Sequence, residues 1–132
     1  MAITLLAVDD DASSAELIVR IAERCGFEAF ATSDPRGFIE LCKQLNPSVL
    51  SIDVNMPNID AHGLIRLLSE AKFAGKIMVV SGQDTDTLRH VADFGESVGL
   101  QRPAVMQKPI DMAKMRLLLA SFSKELQTSE AR

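Results

Sequence analysis

The chain alternates short, unbroken apolar runs with longer stretches whose apolar residues recur three and four apart. Residues 3–8 form an apolar run of strand length that stops at three acids, Asp9, Asp10 and Asp11. Behind it, Leu17, Ile18, Ile21, Ala22 and Cys25 share one face of a helical period, and Gly26 reads as the helix stop. Residues 28–32 read as a weaker strand. Asp34 and Pro35 then supply a cap and a first-turn proline for a second helix carrying Phe38, Leu41, Cys42 and Leu45. The same pattern follows three more times. Residues 48–52 are a strand ending at Asp53. A turn through Asn55, Met56, Pro57 and Asn58 leads to a third helix with Leu64, Leu67, Leu68 and Ala71, broken by Ala74 and Gly75. Residues 76–80 close on Ser81 and Gly82, and a fourth helix through Leu88, Val91 and Ala92 ends between Gly95 and Gly99. Residues 103–107 are the fifth and weakest strand, ending at Lys108 and Pro109. Asp111 caps a last helix through Met112, Met115, Leu119, Phe122 and Leu126.

Five strand–helix pairs in strict order predict an α/β fold, a doubly wound parallel sheet with right-handed crossovers and helices on both faces. The 132 residues fit one domain, residues 1–126, with a loose tail over 127–132. Apolar residues at 47% and charged residues at 24% describe a globular chain rather than a disordered one. Fourteen Lys and Arg against eighteen Asp and Glu leave a net charge of −4, which argues against a nucleic-acid partner. No apolar run approaches the roughly 18 residues that cross a membrane, and the first residues lack a basic signal region. A cytoplasmic location without membrane contact is the expectation. Cys25 and Cys42 are too few and too far apart for a disulfide framework or a zinc site, and both read as core thiols.

In an open parallel sheet, ligands bind at the carboxyl ends of the strands, near the point where strand order reverses. The residues that directly follow the apolar runs are therefore the informative ones: Asp9 and Asp10, Asp53, Ser81 and Lys108. Three carboxylates on one rim repel each other unless a proton or cation joins them. An all-oxygen donor set with room for water suits Mg²⁺. One ammonium and one hydroxyl beside it are donors for a different anion. A phosphoryl group on one carboxylate, neutralised by Mg²⁺ and Lys108 and hydrogen-bonded by Ser81, satisfies all five groups.

Val8-Asp9-Asp10, Ile52-Asp53-Val54-Asn55-Met56-Pro57, Val80-Ser81-Gly82 and Lys108-Pro109, in that order and each after an apolar run, resemble the receiver domain of two-component response regulators. The resemblance covers nearly the whole chain. It implies a flavodoxin-like (βα)5 fold with strand order 2-1-3-4-5. It also implies that Asp53 takes a phosphoryl group from a phosphohistidine on a histidine kinase or histidine phosphotransfer protein. Asp10 and Asp53 would ligate Mg²⁺ with the backbone carbonyl of Asn55, and Asp9 would act mostly through a metal-bound water. Lys108 would pair with phosphoryl oxygens, and Ser81 would move towards them on phosphorylation. Asn55 and Gln83 occupy positions that tune hydrolysis in this family, and the Gln83 amide could orient the attacking water. The implied output is a change at the face made by the fourth helix, fifth strand and fifth helix. With no output domain in the chain, the signal would pass to a downstream protein partner by contact, from a monomer or weak homodimer.

Some positions depart from the family pattern. Val105, three before Lys108, stands where an inward-swinging aromatic ring is common, so the switch rests on Ser81 and backbone shifts or is muted. Ala61 stands where a glycine is common. Ser81 and Lys108 are 27 positions apart, longer than usual, and the excess lies around the fourth helix and the stretch after Gly95. In this the chain resembles receivers joined to cyclic-di-GMP phosphodiesterase domains. Asp11, Asp60 and Asp111 read as helix caps, and His62 and His90 as surface residues. Leu117 and Leu118 exceed what one helix face needs, so the last helix is either deeply buried or carries an exposed patch. Two rivals stand beside the receiver reading. One is a phosphorylation-independent pseudo-receiver that only binds; the other is a Mg²⁺-dependent phosphohydrolase with an aspartyl-phosphate intermediate, for which Asn55 is the wrong residue and no substrate cap is present.

Overall fold

The computed structural model describes residues 3–34, 36–55 and 60–130, the side chains of 128–130 excepted. Ten elements alternate along the chain: β1 (Ile3–Val8), α1 (Ala12–Arg24), β2 (Phe27–Thr32), α2 (Phe38–Leu45), β3 (Val49–Ile52), α3 (Ala61–Glu70), β4 (Lys76–Ser81), α4 (Thr85–Ser97), β5 (Ala104–Gln107) and α5 (Met112–Glu130). All strand pairs are parallel, in the order β2-β1-β3-β4-β5. The chain runs outward from β1 to β2 and then back past β1 to β3. The carboxyl ends of β1 and β3 therefore flank the point where strand order reverses, the crevice that such sheets use for ligands.

Two apolar layers explain why these runs pair. Side chains alternate across a strand, so β1 sends Leu6 and Val8 to one face and Ile3, Leu5 and Ala7 to the other. On the first face they meet Phe38 and Cys42 of α2, Leu64, Ile65 and Leu68 of α3, and Leu88 and Val91 of α4. On the second they meet Ile18, Ile21 and Ala22 of α1 and Met115 and Leu119 of α5. A strand covered on both faces must be apolar throughout, which is why the inner strands read as continuous runs rather than alternating ones.

The helix ends follow the sequence signals except at α2. Asp11 caps α1, accepting from Ser13 N at 3.1 Å and Ser14 Oγ at 2.9 Å. Asp60 caps α3, and Asp111 accepts from Lys114 N at 3.1 Å at the start of α5. Gly26, at φ +92°, turns the chain out of α1. The cap expected at Asp34 is a correction. The α2 cap position is Gly37, without a side-chain hydrogen bond, while Asp34 Oδ1 accepts from Arg36 N at 2.9 Å and closes a local turn. Pro35 lies outside the described residues, as do Met56, Pro57 and Asn58 of the expected turn. α5 continues through Glu130, over part of the expected tail.

The α4 end is held by several contacts at once. Ser69 Oγ donates to Val98 O at 2.7 Å, Leu100 is buried, and Arg102 Nη1 reaches Asp93 at 2.7 Å and Glu96 at 3.2 Å. Gly75 is where α3 hands over to β4. A Cβ there would lie 2.7 Å from Phe73 Cζ and 2.8 Å from the Ser48 carbonyl oxygen. That carbonyl cannot give way, because it accepts from Lys76 N at 3.0 Å in the β3–β4 ladder. Gly75→Ala is therefore expected to lower stability by about 1–3 kcal/mol, read as a lower urea midpoint with an unchanged slope.

Candidate functional site

The sheet itself places the acids. Asp9 N donates to Thr32 O at 3.1 Å and Asp53 N donates to Val8 O at 2.9 Å, so both ladders run one residue beyond the strands. Lys108 N donates to Ser81 O at 2.7 Å and extends the β4–β5 ladder in the same way. Asp9 is 2% exposed and Asp53 5%, while Asp10 is exposed. Each buried acid divides its oxygens between two tasks. Asp9 Oδ1 accepts from Asp11 N and Asp53 Oδ1 accepts from Asn55 N, both at 2.9 Å. Their Oδ2 atoms share the Lys108 ammonium, at 3.1 Å from Asp9 and 3.3 Å from Asp53.

One oxygen from each of Asp9, Asp10 and Asp53 lies within 4.8 Å of the others. Three carboxylates against one ammonium leave a formal surplus of negative charge. Burial raises the Asp9 carboxyl above its ordinary value and the Asp53 charge adds to this; the Asp11 amide and Lys108 pull the other way without cancelling it. Burial pulls the Lys108 ammonium down, but its hydrogen bond to Asp9 and the charge of Asp53 outweigh that, so its pKa is raised overall. The lysine stays charged at neutral pH. The cluster is thus an oxygen-only donor set, short of positive charge, with one ammonium fixed at its edge.

The structure brings the other rim residues together less evenly. Ser81 is fully buried, and its Oγ accepts from Gln83 N at 3.3 Å rather than bonding a carboxylate. Gln83 Nε2 donates to Asn55 Oδ1 at 3.1 Å, which joins two positions that the sequence pairs only by analogy. Val105 is 38% exposed on β5, away from the acids. Gln107, which the sequence reading passes over, donates from Nε2 to Gln83 O at 3.1 Å. Its only sequence signal is an amide in the position before Lys108.

The residues set aside behave accordingly. His62 is exposed and stacks on Phe94 at 4.6 Å between ring centroids, and His90 is exposed. Cys42 is buried, its thiol pushed up to about 11 by burial, and Cys25 is half-buried with Sγ near Arg116 O. Of the two readings for the last helix, Leu117 decides for exposure at 72%, while Met115 and Leu119 are fully buried.

Comparison with known proteins agrees with the fold. A family model described as the response regulator receiver domain matches residues 5–120. Over 119 residues the chain is 30% identical to protein-glutamate methylesterase/protein-glutamine glutaminase 5 of Myxococcus xanthus, covering 87% of this chain and 32% of that protein. The chain thus spans about a third of the length of the curated relatives it matches. The crystal structure of a response regulator from Colwellia psychrerythraea is 27% identical, with a TM-score of 0.79, covering 95% of this chain and 99% of that one. Chemotaxis response regulator CheY4 of Vibrio cholerae shares the fold at 21% identity and a TM-score of 0.74, covering 92% of this chain and 99% of that one.

The raised Asp9 carboxyl has a consequence for stability. A carboxyl whose folded pKa lies above its unfolded value stabilises the fold while protonated, and that contribution is lost as pH rises through the folded value. Asp9 is therefore a liability at neutral pH in a chelating buffer. Asp9→Asn, which keeps an oxygen for Asp11 N, is expected to raise the thermal midpoint there. The gain should shrink as pH falls below the Asp9 range, a trend that calorimetry from pH 7 downward would test. Lys108 itself stays charged throughout that window, because its raised pKa puts its own loss of charge on the alkaline side.

Proposed function

The chain belongs to the response regulator receiver family, and we propose that it is a phosphoacceptor switch whose acceptor is Asp53. The observation that carries this is the shared ammonium, with Lys108 Nζ 3.3 Å from Asp53 Oδ2 inside a cluster of three carboxylate oxygens. In the transfer, an Asp53 carboxylate oxygen attacks the phosphorus of a phosphohistidine on a histidine kinase or histidine phosphotransfer protein. The phosphorus–nitrogen bond breaks and its electron pair returns to the imidazole. Lys108 stands where the incoming phosphoryl oxygens need a positive charge, and Asp53 Oδ1, held by Asn55 N, keeps the carboxylate oriented. Ser81 supplies a hydroxyl one loop away.

The donor set fits Mg²⁺, a hard cation that takes a few carboxylates and keeps part of its water. Asp10, Asp53 and the Asn55 carbonyl would hold it directly, and Asp9 mostly through water. Bound there, it supplies charge neutralisation and orientation for the phosphoryl group. The chain's purpose in this reading is signalling rather than turnover. It acts in the cytoplasm as a monomer or weak homodimer, and passes its signal to a downstream protein through the α4–β5–α5 face, to which β5 contributes the exposed Val105. Among the described residues no helix is long and apolar enough to cross a membrane.

Incubation with acetyl phosphate and Mg²⁺ followed by intact-mass measurement tests the reading. Wild type is expected to gain one phosphoryl group, Asp53→Asn none, and chelation is expected to suppress the gain. Lys108→Ala should slow it by roughly a hundred- to a thousandfold, the scale of one preorganised donor. A folded wild type that gains no mass would leave the binding-only pseudo-receiver in its place.

A further inference from the structure

Besides the Asp84 cap on Thr87 N, three hydrogen bonds tie down the loop between β4 and α4, and they differ in kind. Gln83 N to Ser81 Oγ, at 3.3 Å, lies within the loop. Gln83 Nε2 to Asn55 Oδ1, at 3.1 Å, links the two loops flanking the acids. Gln107 Nε2 to Gln83 O, also 3.1 Å, fastens the loop backbone to the last residue of β5, the register partner of Ser81. A carbonyl oxygen only accepts, so the Gln107 carboxamide must present its NH₂ there. Packing gives this stretch little support, since Gly82 and Asp84 are exposed and Gln83 is only half-buried. Side-chain hydrogen bonds hold the loop where apolar contact does not.

We infer that Gln107 is a positioning residue, whose carboxamide latches the β4–α4 loop to β5 and holds the Ser81 hydroxyl against Gln83 N instead of the carboxylates. The latch is a property of the unphosphorylated chain. Its consequence rests on the phosphoacceptor reading: Ser81 reaches a phosphoryl group on Asp53 only when the loop moves, and the loop moves more readily once the Gln107 bond is gone. One net hydrogen bond shifts such an equilibrium by roughly two- to tenfold.

Two variants separate the donor from the bulk of the side chain. Gln107→Leu removes the donor at similar size; Gln107→Lys keeps one at similar reach. The first measurement is amide hydrogen exchange on the full chain without phosphodonor. Residues 82–85 are expected to exchange roughly two- to tenfold faster in Gln107→Leu, at wild-type rate in Gln107→Lys, with thermal midpoints unchanged. Equal exchange in all three proteins, or faster exchange in both variants, overturns the latch. The second measurement is the initial rate of phosphorylation by acetyl phosphate and Mg²⁺, read by intact mass. Gln107→Leu is expected to exceed wild type by a similar factor, and equal rates overturn the positioning role. Failure of wild type to gain phosphoryl mass refutes the phosphoacceptor reading instead, and the exchange measurement still decides the latch.

Discussion

The Lys108 ammonium shared by Asp9 and Asp53 is the contact on which the rest of the site depends. Two carboxylates buried beside each other repel, and removing both from water costs more than either gains locally. The lysine offsets part of that cost and leaves part standing, which shows in the raised Asp9 carboxyl. The residual deficit of positive charge is what makes the pocket receptive to a cation. Stability and function pull against each other here, and the sheet underneath supplies the rigidity that keeps the acids together.

That rigidity comes from topology. The strand order puts β1 beside β3, so two acids that are distant in the chain become neighbours through consecutive ladder bonds. Lys108 starts from the far edge. Three strand spacings, roughly 14 Å, separate β5 from β1. A long, flexible side chain leaning inward from the strand tip spans the gap, and a shorter cation on β5 would not.

The scaffold is held unevenly around this point. The carboxyl end of α4 is fastened by Ser69, Leu100 and Arg102, and Gly95 packs closely on Pro103. The amino end follows a loop held by amide side chains from Asn55, Gln83 and Gln107. Polar contacts of that sort open at lower cost than buried apolar packing. Among the described residues the loop next to the acids is thus the part of the rim that opens at lowest cost, and Val105, exposed and small, brings no ring to it.

The apolar runs of all five strands, the helical faces and the caps at Asp11, Asp60 and Asp111 were legible in the sequence, because each rests on interactions between near neighbours. So was the set of rim residues, since a parallel sheet obliges the residue after each strand to stand at one edge. Other features resisted such a reading. Asp34 looks like a cap, but its local turn to Arg36 competes with capping and wins. Leu117 fits either core or surface by its pattern, and its exposure was decided by how α5 sits against the sheet. The division of each acid's oxygens, the reach of Lys108 across three strands and the Asn55–Gln83–Gln107 chain of amides were decided only by the tertiary structure. Local sequence determines which groups arrive at the rim; the distances between strand tips determine which of them touch, because partners tens of residues apart meet only when the sheet closes around its core.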